Sequence, residues 1–228
     1  MPIKSKETII ISLGGSVMAP DDIDVGFLKN FKHTLSKYFG DKRFFIIVGG
    51  GKIARVYQKA LLEFGAKNND RDWIGINVTK LNAEVLKQVF AGDCHKETII
   101  DPNKKIKANN NVVVGAGWKP GWSTDYDAVL IAKNHNIKTI INLSNIDYVY
   151  DKNPSHYPDA TPLKEIDWKS FSRMIGDVWT PGLSMPFDPR ASKLAASLKL
   201  KVVIINGKKI EQLENYLDGK PFIGTVIN

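Results

Sequence analysis

Two glycine turns carry the first chemical signal. Gly14-Gly15-Ser16 follows the apolar run Thr8 to Leu13, and Gly49-Gly50-Gly51-Lys52 follows the run Arg43 to Val48. Without side chains in the way, backbone N–H groups can close around an anion, and a helix opening behind the turn adds its positive end. One such turn is equally a plain strand-to-helix connection. Two of them favour phosphate. Neither is a Walker motif, because no Gly-Lys-Ser/Thr triplet closes it, and neither has the spacing of the dinucleotide fingerprint. In Gly51-Lys52-Ile53-Ala54-Arg55 the arginine falls one helical turn past the last glycine, so its guanidinium can return to an anion held there. The alternative for Arg55 is a solvated charge on an exposed helix face.

A polar loop and three aspartates extend the pattern. Gly115-Ala116-Gly117-Trp118-Lys119-Pro120-Gly121-Trp122-Ser123-Thr124-Asp125 follows the apolar run Val112 to Val114 and precedes a helix expected near Ala128. That is the placement of a binding loop. Thr124 to Asp127 also reads as a capping box, with Asp125 and Asp127 favouring the helix dipole, and for Asp127 this structural reading is preferred. Asp188-Pro189 suits an N-cap followed by proline at the first helical position. Asp147 lies just past another strand, where aspartates are common turn residues. Glycine and carboxylate at strand ends, without histidine or cysteine clusters, describe a phosphate-handling site that works with magnesium.

The elements that must position these loops are short β-branched runs alternating with amphipathic stretches. Thr8–Leu13, Arg43–Val48, Val112–Val114, Lys138–Leu143 and Lys201–Ile205 read as strands. Several are apolar throughout, as strands buried on both faces are. Helical spacing joins Phe27, Leu28, Phe31 and Leu35, then Leu81, Val85, Leu86 and Val89, then Leu194 and Leu198. The alternation argues an α/β fold with a parallel sheet. The chain of 228 residues is read as one domain, 1–228, its nearest approach to a linker being the polar stretch 93–111. A net charge of +8 comes from scattered lysines rather than a basic run, which suits anionic small molecules better than nucleic acid. The single Cys94 excludes an internal disulfide and fits a cytoplasmic setting. The run Ile9 to Leu13 is too short for a signal-peptide core or a membrane span.

Six segments together resemble the amino-acid-kinase family, and their order resembles its archaeal-type uridylate kinases most. They are Ile11–Pro20 (ISLGGSVMAP), Val48–Tyr57 (VGGGKIARVY), Asp72–Leu86 (DWIGINVTKLNAEVL), Pro120–Ala132 (PGWSTDYDAVLIA), Asn145–Pro154 (NIDYVYDKNP) and Phe187–Lys193 (FDPRASK). The Asp-Trp-Ile-Gly-Ile and Leu-Asn-Ala pieces are the most particular of these. The resemblance implies a three-layer αβα sandwich, transfer of phosphate from ATP to UMP with magnesium, and assembly as a hexamer. It implies that Gly14, Gly15, Ser16 and Gly51 line the ATP phosphates, and that Ser144, Asn145, Tyr150 and Asn153 surround the adenine and ribose. Gly50 and Arg55 would hold the acceptor phosphate, Asp72 the ribose of UMP, and Trp118, Lys119, Pro120, Gly121, Trp122, Ser123 and Thr124 the uracil and its sugar. Asp125 and Asp188 match aspartates near the reaction centre.

Three departures from the family pattern stand out. Ser12 occupies a position where many relatives carry lysine, so Lys52, Lys80 and Lys193 are candidates to replace that cation, with Lys52 nearest in sequence. Asn153 stands where aspartate is common. The stretch Gly176 to Pro186 is longer and more aromatic than the pattern implies. The competing readings are another kinase of this fold, such as an isopentenyl phosphate kinase, and a nucleotide- or oxyanion-binding protein without catalysis.

Overall fold

A computed structural model describes residues 6–176 and 185–228. Five strands run parallel at its centre: β1 (Glu7–Leu13), β2 (Lys42–Val48), β3 (Val112–Gly115), β4 (Thr139–Ser144) and β8 (Lys201–Asn206). Each lies within a residue or two of the run read from sequence. Between β4 and β8 come the short strands β5 (Val149–Tyr150), β6 (Pro162–Leu163) and β7 (Glu165–Ile166), and β9 (Thr225–Ile227) follows β8. The main sheet has seven strands in the order β3-β2-β1-β4-β8-β9-β7, with β9 antiparallel to β8, and β5 pairs with β6 in a separate ribbon.

Successive strand residues point to opposite faces, and both faces are covered. Ile9, Ile11 and Leu13 of β1 with Phe44, Ile46 and Val48 of β2 pack beneath α1 (Gly15–Met18), α2 (Val25–Ser36), α4 (Asn68–Val89) and α8 (Ile210–Leu217). Ile10, Phe45, Ile47 and Val113 pack on the other side beneath α5 (Thr124–His135), α6 (Trp168–Ile175) and α7 (Pro189–Ser197). The result is a three-layer αβα sandwich, and two-sided burial is why these strands are mostly apolar.

The helix α3 (Gly51–Glu63) lies outside this scheme: it packs on α4, and Ala54 is its one buried residue. In α4 the buried stripe is Gly75, Ile76, Val78, Thr79, Asn82, Ala83 and Leu86, whereas Leu81 is 68% and Val85 37% exposed. The expected helix is present, but two of the apolar positions that suggested it face outward. The stretch 93–111 is no linker, because Cys94 and Ile99 bridge to Val112 and Gly115 of β3, and Ile99 and Ala108 are buried. Of the Gly176 to Pro186 stretch, residues 177–184 lie outside the described residues.

Candidate active site

Parallel strands end at one edge of the sheet, so the turns that follow them meet there. The turns after β1 and β2 meet backbone to backbone. A Cβ built on Gly15 would lie 2.0 Å from the nitrogen of Gly51, and one built on Gly51 would lie 2.5 Å from the carbonyl oxygen of Gly15. Gly51 also has φ +68°, which favours glycine. The Gly14 N–H donates to the Leu143 carbonyl and the Gly49 N–H to the Leu13 carbonyl, both at 2.9 Å, tying the turns to the strands beside them. From α4, Asn82 Nδ2 donates to the Gly49 carbonyl at 2.8 Å. This gives a structural reason for the asparagine of the Leu-Asn-Ala piece.

Three adjoining clefts open along this edge. The first, about 230 Å³, is lined by Gly50, Gly51, Ala54, Arg55, Gln58, Asp72, Gly75, Ile76, Thr79, Gly117, Trp122, Ser123 and Thr124. The second, about 450 Å³, is lined by Ser12, Gly14, Gly15, Ser16, Gly49, Arg55, Ser123, Thr124, Asp125, Asn142, Ser144, Asn145, Met185 and Pro186. The third, about 530 Å³, continues past Asn145 to Tyr148, Tyr150, Asn153, Met174, Met185 and Pro186. Arg55, one turn into α3, belongs to the first and the second, as do Ser123 and Thr124. Gly51, expected with Gly14 to Ser16, lines the first cleft instead.

The loop after β3 is held by side chains from three helices. The Gly117 N–H donates to Thr79 Oγ1 at 2.8 Å and the Gly121 N–H to Asp72 Oδ2 at 2.8 Å, both from α4. The Trp118 N–H donates to Asp127 Oδ2 at 3.1 Å, from α5. Arg190 Nη1, from α7, donates to the Gly121 carbonyl at 2.8 Å, so both backbone polar groups of Gly121 are held by side chains. The Trp122 ring packs on Tyr126, centroids 4.2 Å apart, and Lys119 Nζ lies 3.9 Å from the centre of the Trp118 ring. Trp122, Ser123 and Thr124 line a cleft, whereas Trp118, Lys119, Pro120 and Gly121 lie outside these linings.

Helix α5 is capped one residue earlier than expected. Ser123 Oγ accepts from the Tyr126 N–H at 3.1 Å, so no capping box forms at Thr124 and Asp127 is not a surface dipole partner. Asp127 is 1% exposed, and its Oδ1 is buried without a hydrogen-bond partner among the described residues. Burial pushes its carboxyl up to about 8, against the bond from Trp118, with the nearby Asp125 and Asp188 adding to the rise.

Asp125 sits at the floor of the second cleft. Its Oδ1 accepts from Ser12 Oγ at 2.7 Å and from Asn142 Nδ2 at 3.1 Å, and its Oδ2 accepts from the Asp188 N–H at 3.3 Å. Burial raises its carboxyl to about 6, opposed by the Ser12 hydroxyl and reinforced by Asp188. Ser12 therefore meets Asp125 as a neutral donor. Asp188 is 6% exposed and is the N-cap of α7, as its sequence implied: its Oδ1 accepts from the Ala191 N–H at 2.7 Å. Burial raises its carboxyl as well.

Lys52 does not turn back over the glycines, since its Nζ pairs with Asp21 at the surface. Lys80 and Lys193 also lie outside the three linings. Arg55 is the one cation in the second lining among the described residues. Asp147 is more than a turn residue: Asn206 Nδ2 donates to its Oδ1 at 2.9 Å and Lys209 Nζ to its Oδ2 at 2.8 Å, and the Lys209 contact holds it below the usual carboxylate range. Thr79, Asn82, Asn142, Asp127 and Arg190 were not singled out as site residues from the sequence.

A parallel αβα sandwich with two glycine turns and a guanidinium between adjoining clefts defines a phosphate-handling protein. The amino acid kinase family model matches residues 7–206, and the chain belongs to that family. It is 33% identical over 225 residues to the uridylate kinase of Thermoplasma volcanium, covering 97% of each chain. It is 31% identical to the uridylate kinase of Thermococcus onnurineus, covering 96% of this chain and 98% of that one. Among solved structures, the uridylate kinase of Archaeoglobus fulgidus superposes with a TM-score of 0.83 at 29% identity, covering 96% of this chain and 99% of that one.

Proposed function

We propose that the chain is a UMP kinase that transfers the γ-phosphoryl group of ATP to UMP, giving ADP and UDP. The observation that carries this reading is the position of Arg55 in the linings of both the first and the second cleft. UMP occupies the first cleft, with its phosphate between Gly50, Gly51 and Arg55 and its ribose against Asp72. ATP occupies the second and third, with its phosphates on Gly14, Gly15 and Ser16 and its adenosine beside Ser144, Asn145, Tyr150 and Asn153.

Phosphoryl transfer of this kind needs alignment and charge neutralisation more than a general base, because the acceptor phosphate is already nucleophilic. The glycine turns fix where the two phosphates stand, and their mutual contact leaves little freedom in that spacing. Arg55 then places one fixed positive charge where the charge develops. It takes the part for which Lys52 was the leading candidate.

Magnesium, when bound, would supply positive charge to neutralise the phosphates. Among the described residues no group of three or more metal-ligating side chains occurs, and Asp125 already accepts three hydrogen bonds from protein donors. This would suit an ion brought in by the nucleotide itself. No protein ligand is assigned to it.

The proposed enzyme is a single domain, 1–228, working in the cytoplasm. Among the described residues no helix is long and apolar enough to cross a membrane. The chain assembles as a homo-oligomer, a hexamer by family resemblance, through the apolar residues that α3 and α4 expose: Val56, Tyr57, Leu62, Trp73 and Leu81, with Phe64 at 88% exposure. Within the family, an isopentenyl phosphate kinase is disfavoured because no histidine lines the clefts among the described residues. The neutral hydroxyl of Ser12 in place of a cation beside Asp125 favours a second reading, a nucleotide-binding protein without catalysis. Coupled ADP release measured across UMP, CMP, AMP, isopentenyl phosphate and glutamate separates these: UMP should give the highest kcat/KM. Turnover with another acceptor alone, or with none, would contradict the UMP kinase reading.

A further inference from the structure

We propose that Asp127 is a positioning residue of the acceptor site: its carboxyl fixes the Trp118 backbone N–H and so sets the wall that Gly117 and Trp122 give to the first cleft. This rests on reading that cleft as the UMP site.

Three amides of one loop, those of Gly117, Trp118 and Gly121, donate to side chains of Thr79, Asp127 and Asp72 respectively. Thr79 and Asp72 line the cleft themselves, and Asp127 does not. A contact with ligand therefore does not account for its carboxyl. Helix polarity does not account for it either, because a partner for the dipole works from the surface and Asp127 is 1% exposed. Folding stability gives no reason, since a buried carboxyl with one oxygen lacking a partner is costly where an apolar side chain would not be.

What remains is direction. The carboxyl supplies an acceptor at one point inside the protein, and the Trp118 N–H meets it there. Its neighbour Tyr126 packs on Trp122, so the first turn of α5 supports this loop twice, once by a hydrogen bond and once by a ring. Asp127 touches no substrate in this arrangement. Its effect passes through the loop.

The test uses three variants of the full-length chain. Asp127→Ala removes the acceptor, Asp127→Val removes it while keeping most of the volume, and Asp127→Asn retains a carbonyl oxygen that can accept from Trp118. Hydrogen–deuterium exchange over residues 117–122 is read without substrates, and KM for UMP and for ATP are read in steady state. In Ala and Val, exchange over 117–122 should quicken and KM for UMP should rise about tenfold, the usual cost of one lost buried partner, with KM for ATP changing much less. In Asn both readings should return towards wild type.

Unchanged exchange over 117–122 in a folded Ala or Val variant would overturn the proposal, as would equal rises in the two KM values. If neither variant folds, the Asn variant decides: quickened exchange there contradicts the proposal, and wild-type protection agrees with it. Wild-type protein without turnover on UMP would refute the UMP reading instead, and the exchange measurement would still judge whether Asp127 holds the loop.

Discussion

Gly15 and Gly51 touch through their backbones, with a Cβ added to Gly15 falling 2.0 Å from the nitrogen of Gly51. One residue belongs to the turn after β1, which borders the second cleft, the other to the turn after β2, which borders both the first and the second. In the proposed arrangement of the two nucleotides, the spacing between their phosphates would be set by a contact that admits no side chain.

Gly15→Ala should therefore damage both fold and activity. The added methyl meets backbone rather than a flexible side chain tip, so the turns must separate, at a cost of roughly 3 kcal/mol or more. Urea unfolding and turnover should fall together. A variant with wild-type stability and kcat would show that the turns are not in contact as described.

Arg55→Ala should lower kcat/KM for UMP by about 10- to 100-fold, from the ~1.5–3 kcal/mol that a charge-assisted hydrogen bond contributes. Arg55→Lys should recover part of this, because it keeps the charge and loses the fork. Steady-state kinetics with melting temperature as a control decide it. Arg55 leaves the site if both parameters stay at wild type.

Asp72→Asn should raise KM for UMP more than KM for ATP. The carboxylate already accepts from the Gly121 N–H through one oxygen, so the amide keeps that bond only by turning its donor towards the ribose hydroxyls, where an acceptor is proposed. Calorimetric titrations with each nucleotide measure this. Equal weakening would place Asp72 outside the acceptor site.

Asp127 should make stability fall as pH rises. Its carboxyl goes from the ordinary 3.8 to about 8 on folding, so the folded state binds the proton more tightly. That contribution is complete below about pH 4 and is lost progressively up to about pH 8. At about 1.4 kcal/mol per tenfold change in proton affinity, several kcal/mol are at stake. Asp127→Asn cannot ionise, so its advantage over wild type in urea unfolding should be small at pH 4 and large at pH 9. A constant difference would mean that Asp127 is ionised, or exposed, at neutral pH.

The five central strands were legible in the sequence because burial on both faces leaves them mostly apolar, with Ser12 and Asn142 as the buried polar exceptions. Strands β5, β6, β7 and β9 were not, because two or three residues carry no period. Asp127 was misread because local chemistry makes a capping box of Thr124 to Asp127, while the actual cap is Ser123 and the carboxyl turns inward to Trp118. Lys52 was ranked first for its place in the chain, yet nearness in sequence says nothing of direction, and its ammonium reaches Asp21. Asn82 stood inside the Leu-Asn-Ala piece of the resemblance, but neither it nor Asn142 had a local chemical signature. Their amides matter only because the fold brings Gly49 and Asp125 within reach.

In the proposed reaction, phosphate passes directly between two nucleotides aligned across Arg55. Single-turnover ³¹P NMR of the wild-type protein with ATP, UMP and magnesium tests it most directly. UDP and ADP should appear together in equal amounts, and replacing Arg55 with alanine should slow both signals alike. ADP without UDP, or no change in ATP at all, would contradict the account.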